Sequence, residues 1–408
     1  MPHTSASSSQ PGSPPEGAVD GNRFSLDKDA VWRGAAGQDA WWWQCEWNEP
    51  REVGAILQVV GDEVPRLNHA PRCYVWQASM DGRDWNDLAE TVSENDRRAF
   101  RLHRMQASRR AKFLRLKIAS AHGEFPALRE IEVFAEPQAK VEFPEWIVSV
   151  STLDRREWDK RHPAGQEFAR LAQRSPDGEA IQAQHVWLGD FDEAFLAAEP
   201  RPLAAFLSGN FSDWCQKDRS AWRGVQEVLT SGRLPIWASC GGAQGLAILA
   251  DRGLDEPWDC PHCRDPRNPK TPIYGHIAHN AGGKLTCGKY DSCTFERGPH
   301  DVLQLAADPA LAGLPREFRV MESHCGQIEY VPRGWVQIAT KGADSLTNMQ
   351  CLRVQDRYIY AAQFHVEIDG TPEVSQQIMG NFLNLARRWG GYNPQGKPVA
   401  PPDRWDSR

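Results

Sequence analysis

The sequence has no apolar run near the ~20 residues that a membrane-spanning helix needs, although 40% of its 408 residues are hydrophobic. It also has no excess of positive charge, because 47 Lys and Arg stand against 54 Asp and Glu, a net charge of −7. We therefore expect no membrane and no nucleic acid as partner. The N-terminal stretch has no apolar signal-peptide core, and ten cysteines without one favour reduced thiols in a cytoplasmic protein.

The first third of the chain has two parts that differ in composition. Residues 1–18 are rich in Ser, Pro and Gly, a composition that predicts a disordered arm. Residues 19–136 contain short alternating segments, such as 74–79 and 112–118, separated by turn signals such as Asp81-Gly82. This pattern predicts an antiparallel β-sandwich made of short strands.

Three segments of this region resemble the discoidin family, also known as the coagulation-factor type C module. They are residues 79–85 (Ser-Met-Asp-Gly-Arg-Asp-Trp), 113–116 (Phe-Leu-Arg-Leu) and 128–133 (Leu-Arg-Glu-Ile-Glu-Val). The resemblance implies a galactose-binding-like jelly roll whose end loops bind sugars, lipids or proteins. We expect a carbohydrate or protein ligand here, although the loops do not specify which.

A different signal lies at residues 234–250, which read as a buried strand, a sharp turn and a helix. Cys240 stands at the apex of the turn and is followed by Gly241 and Gly242. A strand-to-helix turn projects its apical side chain, and the helix N-terminus stabilises a thiolate there. Cys240 is therefore a candidate nucleophile, the alternative being an ordinary buried cysteine.

A histidine and a carboxylate follow the hydrophobic segment 358–364. His365 and Glu367 are two residues apart, so on a strand they point to the same side, where the carboxylate can orient the imidazole. Together with Cys240 they make a candidate Cys-His-Glu triad whose members meet only in the fold.

The same half of the chain alternates apolar strand-like segments with helical ones. Such alternation predicts an α/β three-layer domain over residues 144–392 with a mostly parallel sheet, preceded by a linker at 137–143 and followed by a tail at 393–408. In open α/β sheets the active-site residues lie at the carboxyl ends of the strands. The predicted strands that end nearest the candidate residues are 203–207, 234–238 and 358–364.

Four segments in this half resemble class I glutamine amidotransferases of the guanylate-synthase type. They are residues 207–210 (Leu-Ser-Gly-Asn), 240–244 (Cys-Gly-Gly-Ala-Gln), 322–325 (Glu-Ser-His-Cys) and 363–367 (Gln-Phe-His-Val-Glu), in the order that the family shows. The resemblance implies that Cys240 attacks the side-chain amide of glutamine to give a γ-glutamyl thioester and ammonia. His365 then moves the protons and Glu367 holds its ring.

The resemblance also implies the rest of the site. The backbone N–H groups of Gly241 and Asn210 would form the oxyanion hole, and no cofactor is needed for this chemistry. Substrate contacts are expected at Gly209, Gln244, Ser323 and His324. The chain departs from the family by Ala238 and Asn210, where glycine is usual, and asparagine is a residue that tolerates a left-handed backbone.

Four cysteines cluster in a segment, residues 250–297, that looks inserted after the nucleophile helix. The pair Cys260 and Cys263 has the Cys-x2-Cys spacing of metal sites, whereas Cys287 and Cys293 are spaced more loosely. Two interpretations fit: a structural zinc site, or a proline-rich lid with ordinary thiols.

Three functions remain open from the sequence. The first is a glutaminase that passes ammonia to a separate acceptor enzyme, since this chain has no nucleotide loop of the form Gly-x4-Gly-Lys-Ser/Thr. The second is a stand-alone γ-glutamyl peptide hydrolase, and the third is a catalytically weak protein that binds through the discoidin module.

Overall fold

The structure is a computed structural model that describes residues 2–23, 27–61, 67, 69–141, 145–157, 181–197, 200–207, 209–210, 213–259, 270–277 and 293–389. The chain divides into two compact units. Unit 1 comprises residues 1–144 with 197–201, and unit 2 comprises residues 145–196 with 202–408.

Unit 1 is an antiparallel β structure, in which every pairing between described strands is antiparallel. Its seven strands are β1 (His3–Ala6), β2 (Trp32–Arg33), β3 (Trp41–Val60), β4 (Pro71–Ser79), β5 (Asn86–Asp87), β6 (Phe100–Ala121) and β7 (Ala127–Phe134). The expectation of only short strands was wrong for β3 and β6, which run for 20 and 22 residues. Irregularities in their pairing, between Glu46 and Arg51 and between Val53 and Ala55, let such long strands bend without ending.

The core of unit 1 is rich in tryptophan. Trp41 and Trp43 are buried on one side of β3 while Trp42 between them is only half-buried, as the period of two on a strand requires. The Trp43 ring meets that of Trp76 edge-on at 6.2 Å between centroids. Edge-on contacts of this kind suit aromatic quadrupoles and add to the hydrophobic gain from burial.

The predicted disordered arm at residues 1–18 was wrong. Strand β1 pairs with β3, Thr4 lying opposite Cys45, and residues Pro15–Val19 form a 3-10 helix. The indole N–H of Trp43 donates to the carbonyl oxygen of Pro15 at 2.9 Å. Backbone pairing and indole hydrogen bonds therefore order a segment whose side chains bury little apolar surface.

Unit 2 is built on a nine-stranded sheet with the order β14-β13-β16-β17-β18-β11-β10-β8-β9. The strands are β8 (Trp146–Ser151), β9 (Gln182–Trp187), β10 (Ala205–Leu207), β11 (Ile236–Ser239), β13 (Glu296–Gln304), β14 (Glu317–His324), β16 (Trp335–Lys341), β17 (Cys351–Val354) and β18 (Ile359–Ala362). A separate two-stranded sheet pairs β12 (Tyr274–His276) with β15 (Gly326–Ile328).

The large sheet is mixed, which corrects the expectation of a mostly parallel one. Strands β9, β8, β10, β11 and β18 pair parallel to one another in that order. Strands β18, β17, β16, β13 and β14 pair antiparallel. Within residues 293–354 the only described helical turn is the 3-10 turn Pro309–Leu311. Without crossover helices, successive strands there join by hairpins or short links, which make antiparallel pairs.

Four described α-helices accompany the sheet: α1 (Glu193–Ala197), α2 (Arg223–Ser231), α3 (Gly241–Arg252) and α4 (Pro372–Arg388). Phe382 of α4 packs against the rings of Phe206, Trp237 and Tyr360, which lie on one face of three adjacent strands. Helix α3 follows β11 directly. Among the described helices, none combines the length and the apolar character that crossing a membrane requires.

Candidate active site

Two adjacent parallel strands bring the candidate nucleophile and base together. Strands β11 and β18 pair with Ser239 opposite Ala362, and the backbone N–H of Cys240 donates to the carbonyl oxygen of Ala362 at 2.8 Å. His365 follows β18, where its own N–H donates to the carbonyl oxygen of Met321 at 2.8 Å. Both residues therefore lie at the carboxyl-terminal edge of the sheet, where α/β folds place their chemistry.

The backbone of Cys240 is strained in the manner expected of a nucleophile turn. Its φ of 49° and ψ of −113° lie outside the regions that side-chain-bearing residues normally adopt. Cys240 is also the N-cap of the twelve-residue helix α3, so its side chain stands at the positive end of the helix dipole. The sulfur lies 3.7 Å from the carbonyl oxygen of Ser323 and is largely buried.

His365 is coupled to Glu367 as the sequence spacing predicted. Its Nδ1 atom lies 2.6 Å from Oε1 of Glu367. Burial alone would lower the pKa of His365, but the negative charges and hydrogen bonds of Glu367 and Cys240 raise that pKa well above its usual value. Glu367 and Cys240 therefore both favour the imidazolium form of His365.

The two predicted oxyanion donors are neighbours. A Cβ atom placed on Gly241 would lie 2.4 Å from the backbone nitrogen of Asn210, so only glycine permits this approach. Gly209 lies beside His365, because a Cβ there would be 3.6 Å from Cε1 of the ring. Among the described non-glycine residues, positive φ occurs at His69, Cys240 and Asp356, so Asn210 needs no left-handed backbone.

These residues line one pocket of about 340 Å³, a volume suited to a small ligand. Its walls contain the predicted residues Gly209, Asn210, Cys240, Gln244, Ser323, His324 and His365, together with Tyr274, Phe295, Arg297, Cys325, Gly326 and Ile368. The Gln244 amide nitrogen donates to the carbonyl oxygen of Gly326 at 2.9 Å and to Oε1 of Gln363 at 3.2 Å. Gln244 thus fixes the pocket wall as well as facing it.

His324 is held between two buried carboxylates that sequence reasoning missed. Its Nε2 atom lies 2.8 Å from Oε2 of Glu322 and 3.3 Å from Oε2 of Glu296, while Nδ1 lies 2.9 Å from the carbonyl oxygen of Gly326. Burial acts to lower the pKa of His324, but Glu322, Cys240 and Glu296 raise it overall. The pairing of β13 with β14, which sets Glu296 opposite His324, brings the second carboxylate to this cluster.

Two further residues of the pocket were also missed. Arg297 is exposed at the pocket edge, opposite Ser323 in the strand pairing, and its guanidinium lies 4.9 Å from the ring centroid of Phe295. Cys325 is the second cysteine of the wall, but burial, reinforced by Cys293, raises the pKa of its thiol to about 12. Cys325 therefore does not compete with Cys240 as a nucleophile.

The predicted zinc ligands are only partly described. Cys260, Cys263 and Cys287 lie outside the described residues, so the four-cysteine site remains a prediction. Cys293 is described and lies 3.7 Å, sulfur to Nδ1, from His276. The side chain of Cys325 is the third member of this group.

Comparison with known proteins separates the two parts of the chain. Residues 3–131 match the model of the F5/8 type C domain. A glutamine-hydrolysing GMP synthase of Thermosipho melanesiensis is 32% identical over 183 residues, which are 45% of this chain and 27% of that protein. A glutamine-hydrolysing GMP synthase subunit from Haloarcula marismortui is 29% identical over 152 residues, which are 35% of this chain and 74% of that protein.

Both resemblances drawn from the sequence are thereby confirmed: to the type C domain family and to the glutamine amidotransferase part of GMP synthases. The match to the Thermosipho protein spans little more than a quarter of that protein's length. Among solved structures, a protein described as a GMP synthase subunit from Thermoplasma acidophilum aligns with a TM-score of 0.41 at 20% identity, covering 60% of this chain and 96% of that one.

Proposed function

We propose that this protein hydrolyses the side-chain amide of glutamine through a γ-glutamyl thioester on Cys240 and releases ammonia. The observation that carries the proposal is the placement of Cys240, at a strained turn and a helix N-terminus, in one pocket with His365, whose ring is coupled to Glu367. Similarity to glutamine-hydrolysing GMP synthases supports the same reaction class. A mixed sheet flanked by helices supplies the rigid scaffold.

In the first half-reaction the Cys240 sulfur attacks the amide carbon of the glutamine side chain. The carbonyl oxygen takes up negative charge and accepts hydrogen bonds from the N–H groups of Gly241 and Asn210. His365 donates a proton to the departing nitrogen, the C–N bond breaks, and ammonia leaves. Because Nδ1 faces Glu367, Nε2 is the ring nitrogen left for this proton transfer.

In the second half-reaction water attacks the thioester carbon. The now neutral His365 accepts a proton from the water, the C–S bond breaks, and glutamate leaves with Cys240 restored. Glu367 stabilises the imidazolium at both stages and fixes the tautomer. Overall, glutamine and one water become glutamate and ammonia.

Arg297 is the residue we assign to the carboxylate of the amino-acid end of the substrate. It is an exposed cation that lines the pocket and stands opposite Ser323. A guanidinium offers paired donors that match a carboxylate. Phe295, which is 42% exposed, also lines the pocket and forms a partly apolar rim with Arg297. This rim favours γ-glutamyl peptides as the second candidate substrate class.

The experiment is a measurement of ammonia release from L-glutamine, alongside release of the leaving amine from γ-glutamyl peptides. Wild type is compared with Cys240→Ala and with Cys215→Ala, a half-buried cysteine outside the pocket lining. Cys240→Ala should lower kcat at least about 10³-fold, while Cys215→Ala should not change it. Turnover of glutamine alone identifies a glutaminase, and faster turnover of peptides identifies a γ-glutamyl hydrolase. Turnover that survives in Cys240→Ala contradicts the proposal.

A glutaminase of this kind releases ammonia that a second enzyme can use. We propose that a separate cytoplasmic acceptor enzyme consumes this ammonia.

The type C domain is proposed to be a binding module for a carbohydrate or protein ligand. A glycan array and an affinity capture, both with the full chain, test this role. The substitution Trp85→Ala, at a half-buried ring that stacks on Arg115 at 3.8 Å, probes the loop at 81–85. Unchanged binding in this variant would show that the loop at 81–85 does not contact the ligand.

A further inference from the structure

Three side chains of the types that bind metal ions meet at the wall of the pocket, to which Cys325 belongs. The ligand atoms of His276, Cys293 and Cys325 all lie within 4.8 Å of one another. Cys293 and Cys325 are 7% and 8% exposed, and the Cys293 sulfur lies 3.7 Å from Nδ1 of His276. None of these three side chains has a part in the proposed hydrolysis.

The backbone brings the three residues together from separate stretches of chain. In the pairing of β12 with β15, His276 lies opposite Gly326, and the N–H of Ile277 donates to the carbonyl oxygen of Cys325 at 2.8 Å. Cys293 precedes β13, whose Glu296 lies opposite His324, the residue before Cys325. The cluster is thus fixed by strand pairing and not by the side chains alone.

The Nε2 side of the His276 imidazole faces a buried carboxylate. Its Nε2 atom lies 3.8 Å from Oδ1 of Asp213, which is 1% exposed. An acidic partner on this side favours the tautomer with the proton on Nε2, so the lone pair of Nδ1 points toward the Cys293 sulfur. Histidines that ligate zinc in proteins are commonly supported by a carboxylate in this way.

We propose that His276 Nδ1 and the sulfur atoms of Cys293 and Cys325 bind one Zn²⁺ ion. Zinc–sulfur bonds of about 2.3 Å and zinc–nitrogen bonds of about 2.0 Å at tetrahedral angles put ligand nitrogen and sulfur about 3.5 Å apart. The 3.7 Å between His276 and Cys293 therefore already matches an edge of such a site. Two thiolates and an imidazole also select zinc over the oxygen-seeking Mg²⁺ and Ca²⁺.

Binding converts two thiols and one Zn²⁺ into a neutral dithiolate complex and releases two protons, so the affinity rises with pH. Three protein ligands leave the fourth tetrahedral position to a water. The ion would join β12, β15 and the start of β13, which carry Tyr274, Gly326 and Arg297 of the pocket wall. Its role is to hold that wall in place, and its presence does not depend on the reaction proposed above.

The test is metal analysis of the full-length protein, purified under reducing conditions and supplied with zinc. Wild type should hold about one zinc per chain, and Cys293→Ser and Cys325→Ser should hold less than about 0.2. Cys73→Ser, which removes a partly exposed thiol in unit 1, is the matched control and should keep the ion. Circular dichroism verifies that each variant is folded.

Cobalt gives a second readout that does not rely on loss of function. The Co²⁺-loaded wild type should show the visible bands of tetrahedral thiolate ligation, and His276→Cys should retain binding with shifted bands. The double variant Cys260→Ser, Cys263→Ser should keep the zinc. The proposal is overturned if that variant alone loses the ion, if wild type binds no zinc, or if mass spectrometry finds a Cys293–Cys325 disulfide in its place.

Discussion

The Nδ1 atom of His365 lies 2.6 Å from Oε1 of Glu367, although only one residue separates the two along the chain. This short contact fixes the ring and, with Cys240, raises the pKa of His365 well above its usual value despite burial. The proposed base is therefore held by a residue two positions away, whereas the proposed nucleophile reaches it only through the pairing of β11 with β18.

The first prediction concerns this carboxylate. Glu367→Gln keeps a hydrogen-bond acceptor of the same shape but removes the negative charge, so the pKa of His365 should fall. We expect kcat to drop about 10- to 100-fold and the limb of the kcat/KM profile that reports His365 to move to lower pH. Steady-state kinetics across a pH series measures both effects. A lowered rate with an unmoved pH profile would show that Glu367 acts only as packing.

The second prediction compares two glycines of the pocket. Gly241→Ala would place a Cβ 2.4 Å from the Asn210 nitrogen, whereas Gly209→Ala would place one 3.6 Å from the His365 ring, an ordinary contact. Loss of an oxyanion donor costs about 10²- to 10³-fold in kcat, so Gly241→Ala should lose activity in that range and Gly209→Ala should keep far more. Equal activities of the two folded variants would show that Gly241 and Asn210 do not form the oxyanion hole.

The third prediction tests the assignment of Arg297. Arg297→Ala should raise the KM for glutamine about tenfold with little change in kcat, because it removes binding shared by substrate and transition state. Arg319→Ala on the neighbouring strand β14 is the control, since Arg319 is exposed and does not line the pocket. If glutamine amide analogues without the α-carboxylate are affected by Arg297→Ala as strongly as glutamine is, the assignment fails.

The fourth prediction concerns stability. His324→Gln leaves Glu322 and Glu296, both 1% exposed, without their cationic partner. Breaking a buried charge pair should lower the free energy of unfolding by about 3 kcal/mol. His300→Gln, at a more exposed histidine 3.8 Å from Asp344, should cost less than about 1 kcal/mol. Denaturant unfolding of the three proteins measures the difference.

The difference in the free energy of unfolding between wild type and His324→Gln should depend on pH in a defined direction. The pKa of His324 in the folded protein is raised above its ordinary 6.5. Its stabilising charge is therefore fully present below about pH 6.5 and is lost as the pH rises through the folded-state value. The gap between wild type and His324→Gln should shrink over that range. A gap that widens with pH would contradict the account of His324 as a buried cation.

The sequence predicted the centre of this site because its signals are local. The turn at Cys240 needs only small neighbours and a following helix, and the two-residue spacing of His365 and Glu367 predicted their contact, although β18 already ends at Ala362. Glu296, Arg297 and Cys325 became visible only through the pairing of β13 with β14 and of β12 with β15. Long-range register of this kind has no signature in a single sequence.

The errors in the fold have the same origin. Composition predicted disorder for residues 1–18, but β1 is held by backbone pairing with β3 and Pro15 by the indole of Trp43, and neither contact requires an apolar sequence. Apolar segments in the sequence predicted the strands in the parallel half of the large sheet. The antiparallel half was not predicted, because residues 296–354 give irregular apolar patterns whose direction depends on how they connect.

The most direct test of the central claim is capture of the covalent intermediate. Rapid acid quenching of the protein during turnover of glutamine, followed by peptide mapping, should find a γ-glutamyl adduct on the peptide that carries Cys240. Cys240→Ala should show none. An adduct on Cys325 instead, or ammonia release that proceeds in the Cys240→Ala protein, would contradict the assignment of Cys240 as the nucleophile.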